Sequence, residues 1–247
     1  NNYVASPWQY YFRTLLRLPD APALPMLFGT AVHAGLKAYT DKVKKGDASI
    51  EDAIEALSRE LACLPLSPLD RKELMKKGKD VLRAYLAQEG THLTQVHESE
   101  FAITVSLAVP GVGDVPLSGK LDRLDVKEND SVEVIDYKTG KARSENEIKG
   151  LTKSSDGGYY RQLVFYKLLL NKDGRFKMRE ASLHFVEPNE KGKCTIRRFT
   201  ITDAEVAELE KELIKAAQAI ADGSAFTVAC DSESCDYCDL VGSLLAR

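Results

Sequence analysis

No apolar run in these 247 residues approaches the roughly 20 that a bilayer span needs. No basic stretch followed by an apolar core opens the chain either, so neither a membrane anchor nor a secretory signal is readable in it. An initiator methionine is also lacking: the chain opens Asn1-Asn2-Tyr3, which reads as a segment excised from a longer protein. Charge of one sign is scarce, with a formal net charge of -3. That balance makes no global case for nucleic acid, yet a local basic groove can steer a phosphate chain while acidic helices elsewhere balance the sum. Cysteine is sparse, five in all with three crowded at the C-terminus. This argues against a secreted disulfide framework and for reduced thiols or metal ligands in a cytoplasmic protein. Internal repeats and low-complexity tracts are absent. What is present, 44% hydrophobic and 29% charged residues, suffices to bury a sizeable core, and a single soluble domain over 1–247 is expected.

Near the start, Ser6-Pro7-Trp8-Gln9-Tyr10-Tyr11-Phe12 pairs an N-cap with proline at the first helical position, predicting an aromatic-rich helix to about Leu18. Pro19, Pro22 and Pro25 predict an irregular connector. A long helix then begins at Leu27, with Val32, Leu36, Tyr39 and Val43 as its apolar stripe and His33 beside it. Two more amphipathic helices are expected from Ile50 to Cys63 and from Pro68 to Gln88, so that about 47–92 forms a helical insertion.

The period then becomes alternating, predicting strands over Glu98–Val109, Asp114–Val126 and Ser131–Lys138. A polar, mobile loop from Lys141 to Gly158 carries Lys141, Arg143, Lys149 and Lys153. A helix from Tyr159 to Leu170 sets Gln162 and Tyr166 four apart on one face. Strands over Met178–Glu187 and Lys193–Ile201 follow, then a helix capped by Thr202 and Glu205, and a cysteine-bearing tail over about 226–247.

The stretch Val132-Glu133-Val134-Ile135-Asp136-Tyr137-Lys138-Thr139-Gly140 is an apolar strand that delivers a carboxylate and then a lysine to one face. With Leu117 to Val126 it forms an antiparallel hairpin, turned at Glu128-Asn129-Asp130-Ser131. A turn centred on Asn129 places Asp122 opposite Asp136, about 5 Å apart at Cβ. Two carboxylates so close stay ionised in a half-buried sheet only with a cation between them; the bland alternative is a surface hairpin with solvated aspartates. Gly119-Lys120 invites a phosphate-loop reading and fails it, because Gly113 stands one residue too far and Leu121 replaces the hydroxyl residue.

Asp122 and Asp136 are hard oxygen donors of the kind Mg²⁺ or Mn²⁺ takes, and Lys138 beside them would orient a water, stabilise charge on a phosphate, or act as a base if desolvated. His33 alone reads as a packed histidine. Gly29 and Gly35, which admit another backbone at close range, make it a candidate ligand. Glu100 reads equally as a strand-end charge and as a further site acid. Gln162 and Tyr166 are either ordinary helix positions or substrate contacts beside the cationic loop.

Taken together, Gly29-Thr30-Ala31-Val32-His33, Glu100 before a strand, Gly119-Lys120-Leu121-Asp122-Arg123, Ile135-Asp136-Tyr137-Lys138-Thr139-Gly140 and Gln162 through Tyr166 resemble the RecB-like branch of the PD-(D/E)XK nuclease superfamily, found in AddB-type helicase-nucleases. The resemblance implies a restriction-endonuclease-like α/β fold, a mixed sheet flanked by helices. It implies a metal held by His33, Asp122, Asp136 and the backbone carbonyl of Tyr137, with Lys138, Asp136, Asp122 and Glu100 as catalytic residues. Gln162, Tyr166, Lys141 and Arg143 would meet DNA, commonly a single strand fed by an attached helicase in repair or recombination, and exonucleolytic cutting is favoured over endonucleolytic. The rival expectations are an inactive DNA-binding module of such a complex and a metal-binding interaction domain centred on the tail.

The cysteines depart from the resemblance. Many relatives clasp their termini with an iron–sulfur cluster, using one N-terminal and three C-terminal cysteines. Here Ser6 occupies the N-terminal position and Leu244 stands about where the last cysteine belongs. Cys235 and Cys238 match the family's CxxC, and Cys230 or Cys194 could stand in elsewhere. A cubane needs four thiolates, so an intact cluster, zinc on Cys230, Cys235 and Cys238, and plain thiols all stay open.

Overall fold

The computed structural model describes residues 2–19, 21–127, 131–227, 230 and 235–245. They sort into two compact units. One comprises Pro22–Val105 and Ser118–Val206; the other comprises Asn1–Ala21, Ser106–Leu117 and Ala207–Arg247. No helix among the described residues is long and apolar enough to cross a membrane.

The larger unit is built around a five-stranded sheet of order β1-β2-β3-β4-β5, formed by Val96–Val109, Gly113–Val126, Ser131–Lys138, Lys177–Phe185 and Thr195–Phe199, except that the joined ends of β1 and β2 over Ser106–Leu117 belong to the other. β3 pairs antiparallel with β2 and parallel with β4, and β5 returns antiparallel to β4. The sheet is therefore mixed, as expected. β3 is central and covered on both faces, which is why Val132 to Tyr137 are all buried and its sequence runs apolar rather than alternating. The hairpin register pairs Val126 with Val132 and Arg123 with Ile135. It agrees with the expected turn, whose residues 128–130 lie outside the described ones.

Against one face of β3 sit α3 (Leu24–Val43), α4 (Ile50–Cys63) and α5 (Pro68–Glu89). Phe28, Val32 and Leu36 of α3, Leu57 and Leu61 of α4, and Leu82 and Tyr85 of α5 share one apolar core with Ile135 and Tyr137. Local chemistry sets the ends of these helices. Ser49 caps α4 in a reciprocal box with Asp52, and Ser67 caps α5 ahead of Pro68. Pro25, expected in a connector, instead lies in the first turn of α3, where its missing N–H costs nothing. Gly35 is where α4 crosses α3: a Cβ there would stand 2.9 Å from the Ala53 carbonyl oxygen. Gly29, by contrast, faces the Thr139 side chain rather than another backbone.

The opposite face carries α7 (Gly158–Asp173), which joins β3 to its parallel neighbour β4. Gly119 on β2 lets it approach, since a Cβ at that position would lie 2.5 Å from Leu169 Cδ1. The segment before α7 differs from the expected mobile loop. Ser144 and Glu147 form a capping box on a short helix, α6 (Glu145–Ile148), and Gly150 is stacked on the Gly157 backbone. The loop reading failed because one helical turn carries almost no periodicity.

In the second unit, α1 (Asn2–Ala5), α2 (Pro7–Tyr10) and a π-helical turn over Tyr11–Leu15 replace the single helix expected there. Ser6 does cap α2 and Pro7 does open it. Most of α8 (Asp203–Ala221) and a helix the sequence did not announce, α9 (Asp236–Leu245), complete this unit.

Candidate active site

The C-terminal end of β3 presents Asp136, Tyr137 and Lys138 in succession. Alternation sends Asp136 and Lys138 to the α7 side, where the Lys138 ammonium lies 2.7 Å from Asp136 Oδ2. α7 closes a ring of polar groups over them. Lys138 Nζ donates to Gln162 Oε1 at 2.8 Å, Gln162 Nε2 donates to the Tyr166 hydroxyl at 2.6 Å, and that hydroxyl donates to Asp136 Oδ1 at 2.9 Å. Gln162 and Tyr166 complete the ring because a spacing of four residues stacks them on one helical face.

Asp136 is only 2% exposed. Burial pushes its carboxyl above the ordinary carboxylate range despite the Lys138 ammonium, and the like charge of Asp122 adds to the rise. Its Oδ2 is buried and, although Lys138 is near, receives no aligned hydrogen bond.

One step beyond the Arg123–Ile135 pair, Asp122 arrives beside the end of β3. Its Oδ2 accepts the Tyr137 N–H at 2.8 Å, and its Oδ1 stands 3.4 Å from His33 Nδ1. His33 descends from α3, donating from Nε2 to the Tyr137 carbonyl oxygen at 3.1 Å, with Glu100 Oε1 at 3.9 Å from Nδ1. Burial opposes a charge on His33, but the carboxylates of Asp122 and Glu100 outweigh it and raise its pKa to about 10.

Glu100 lies inside β1, within the strand expected over Glu98–Val109, but with φ of 55°. That left-handed conformation costs a non-glycine residue on the order of 1 kcal/mol, and strain of this kind gathers at functional sites. Burial would raise the Glu100 carboxyl, yet hydrogen bonds from His33 and from Lys120, its ion-pair partner, hold it below the usual range.

These groups line a cleft of about 580 Å³ with Gly29, Thr30 and Lys37 at its rim. A larger hollow of about 1020 Å³ lies at the other end of β3, but its acids Glu133 and Glu180 are both within 4 Å of Arg198. Chemistry rather than size selects the cleft. His33, Glu100 and Asp122 each offer a ligand atom, all within 4.8 Å of one another. The set is oxygen-rich, as a hard divalent cation requires, and Asp136, ion-paired with Lys138, lines the same cleft. The protonated imidazole supplies positive charge to the same oxygens a cation would take, so the residues present fit such an ion.

The cleft thus assembles Lys138, Asp136, Asp122, Glu100, His33, Gln162 and the Tyr137 carbonyl. Tyr166 lines the cleft but is only 4% exposed, and its hydroxyl donates to Asp136. Lys141 and Arg143 are exposed beyond β3. Tyr159, which was not singled out from the sequence, has two cations at its ring, Lys138 Nζ at 4.5 Å and the Arg143 guanidinium at 4.6 Å from its centre. Its spacing of three from Gln162 carried the signal. Lys120, considered only within the rejected phosphate loop, shares the face of Asp122 by alternation and pairs with Glu100.

A family model described as the PD-(D/E)XK nuclease superfamily matches residues 1–242. Among solved structures, that of a candidate exonuclease from Eubacterium rectale is similar, with a TM-score of 0.58 and 14% identity over 95% of this chain and 80% of that one. The structure of SSO0001 matches at a TM-score of 0.33 and 15% identity over 86% of this chain and 84% of that one. LHK-Exo in complex with dAMP matches at a TM-score of 0.33 and 15% identity over 79% of this chain and 92% of that one. No functionally curated protein matches.

Proposed function

This chain belongs to the PD-(D/E)XK nuclease superfamily, and from that premise we propose that it is a Mg²⁺- or Mn²⁺-dependent deoxyribonuclease whose chemistry lies at the end of β3. The observation that carries the reading is the convergence of His33, Glu100, Asp122 and Asp136 on one cleft with Lys138 at its wall. His33, Asp122, Glu100 and the Tyr137 carbonyl would hold the ion, with Asp136 completing the acidic wall. When bound, a divalent ion polarises a phosphoryl oxygen and acidifies a water.

The protein's own groups do the rest. Lys138, held by Gln162 Oε1 and seated on the Tyr159 ring, offers positive charge to the phosphate as negative charge builds on it. Tyr166 is a positioning residue that orients Asp136. Arg143 and Lys141 would track the phosphate backbone, with Tyr159 seating both Arg143 and Lys138 beside it. We assign the chain to the RecB-like branch, as one nuclease domain with α4 and α5 as its helical insertion, cutting single-stranded DNA exonucleolytically beside a helicase in the cytoplasm.

Two substrates test this. Linear single strands should be degraded with Mg²⁺ and circular ones spared, and Asp122→Ala should lose the activity while keeping its fold. Full activity in Asp122→Ala would overturn the site, and equal cutting of circles would overturn the exonucleolytic reading.

A further inference from the structure

Far along the chain from the acidic cleft, a second cluster of ligating groups forms within the smaller unit. Cys230, Cys235 and Cys238 each turn a thiol inward, and the three sulfurs lie within 4.8 Å of one another. Cys230 Sγ and Cys238 Sγ are 3.4 Å apart, and the Cys230 N–H points to Cys238 Sγ at 3.5 Å. Cys235 immediately precedes α9 and its carbonyl accepts the Asp239 N–H, so Cys235 and Cys238 are one helical turn apart and share a face. The fourth side is closed from the other end of the chain. Ser6, 1% exposed, directs its hydroxyl at Cys238 Sγ from 3.8 Å.

This geometry does not arise from loose tails. Tyr237, between two of the cysteines, stacks on Phe12 with ring centres 5.9 Å apart, and Arg13 bonds to its hydroxyl. The helix that carries Ser6 at its cap and the helix that carries Cys238 are thus held together by groups that are not ligands. The remaining cysteines belong to the other unit. Cys63 is exposed, and the buried Cys194 thiol donates to the Val186 carbonyl.

We infer that Cys230, Cys235 and Cys238, with the Ser6 hydroxyl at the fourth side, form a site for one tetrahedral thiophilic cation, namely zinc, in place of a four-iron cluster. Zn–S bonds of about 2.3 Å set tetrahedral sulfurs roughly 3.8 Å apart. The Cys230–Cys238 sulfur separation of 3.4 Å is close to that value, and all three sulfurs lie within 4.8 Å of one another. A cubane needs four thiolates, each on a different iron, so its sulfurs stand farther apart than ligands around one ion. Ser6 supplies an oxygen where a fourth sulfur would be required. The site would pin the N-terminal helix to the C-terminal one, so its contribution is to structure rather than to DNA cleavage.

The test uses the reduced chain titrated with Zn²⁺ and, separately, with Co²⁺. Expected are one zinc per chain releasable by a mercurial that attacks thiolates, and with Co²⁺ a sulfur-to-metal charge-transfer band that the oxygen-rich cleft cannot produce. The triple substitution Cys230→Ser, Cys235→Ser and Cys238→Ser should abolish both. Anaerobic exposure of the unaltered chain to iron and sulfide should form no four-iron chromophore, whereas Ser6→Cys should gain that capacity. Formation of the iron chromophore by the unaltered chain would overturn the inference. So would absence of the cobalt charge-transfer band, or zinc uptake unchanged in the triple variant.

Discussion

Replacing Tyr166 by phenylalanine removes one oxygen atom from the centre of the site and leaves the ring's space filled. The lost hydroxyl is the donor to Asp136 Oδ1 at 2.9 Å, and Asp136 Oδ2 already lacks an aligned donor. A hydrogen bond to a charged group is worth about 1.5–3 kcal/mol, and a buried carboxylate deprived of it must either bear that cost or take up a proton. Loss of the bond should therefore raise the carboxyl further, in the direction burial already pushes it. The proposed role of Asp136 requires its ionised form. Raising its pKa therefore moves the acid limb of kcat/KM to higher pH, with the plateau at alkaline pH much less affected. The assay is cleavage of a labelled single strand across pH at fixed Mg²⁺, for the unaltered chain and Tyr166→Phe, with urea unfolding of both. An unshifted acid limb together with stability unchanged within about 0.5 kcal/mol would refute the positioning role, since surface substitutions without such a role fall in that range.

Three further outcomes are expected. Arg143→Ala should weaken single-strand binding and lower the salt slope of log K by about one, as loss of one phosphate contact requires; an unchanged slope in filter binding would remove Arg143 from the DNA path. Gly119→Ala should destabilise the chain by about 1–3 kcal/mol in urea unfolding, because its Cβ would meet Leu169 at 2.5 Å, and a neutral result would show that α7 shifts freely. His184 is buried, its Nδ1 bonded to the Tyr85 hydroxyl at 2.7 Å, and burial first, then Arg123, holds its pKa well below 6.5. Below about pH 6.5 the unfolded chain binds a proton there that the folded chain refuses, so stability falls as pH drops from that point. Thermal unfolding from pH 7 to 5 should show a steeper loss for the unaltered chain than for His184→Gln, and parallel curves would contradict it.

The hairpin was legible because its signals are local: alternation, turn residues and a register fixed by the position of the turn together predict Asp122 beside Asp136. The helix over Ile50–Cys63 was legible from its amphipathic spacing, and the structure adds that Ser49 and Asp52 fix its start. What the sequence hid depends on chain segments distant from one another. Glu100 enters the site through a left-handed backbone inside a strand, a conformation no pattern of side chains announces. Tyr166 reads as a helix residue free to meet DNA until the packing of α7 on β3 turns its hydroxyl onto Asp136. Tyr159 acquires its meaning only from Lys138 and Arg143 meeting over its ring.

In the proposed function, Lys138 and the acids around it hydrolyse DNA. Its most direct test is cleavage of labelled linear single-stranded DNA with Mg²⁺, with Mn²⁺ and with a chelator, for the unaltered chain and for Lys138→Ala. Expected is metal-dependent cutting that the chelator abolishes and that Lys138→Ala lowers on the order of 10²- to 10³-fold, the loss expected when a preorganised stabilising group is removed. Cutting that survives in Lys138→Ala at full rate, or persists in chelator, would contradict it.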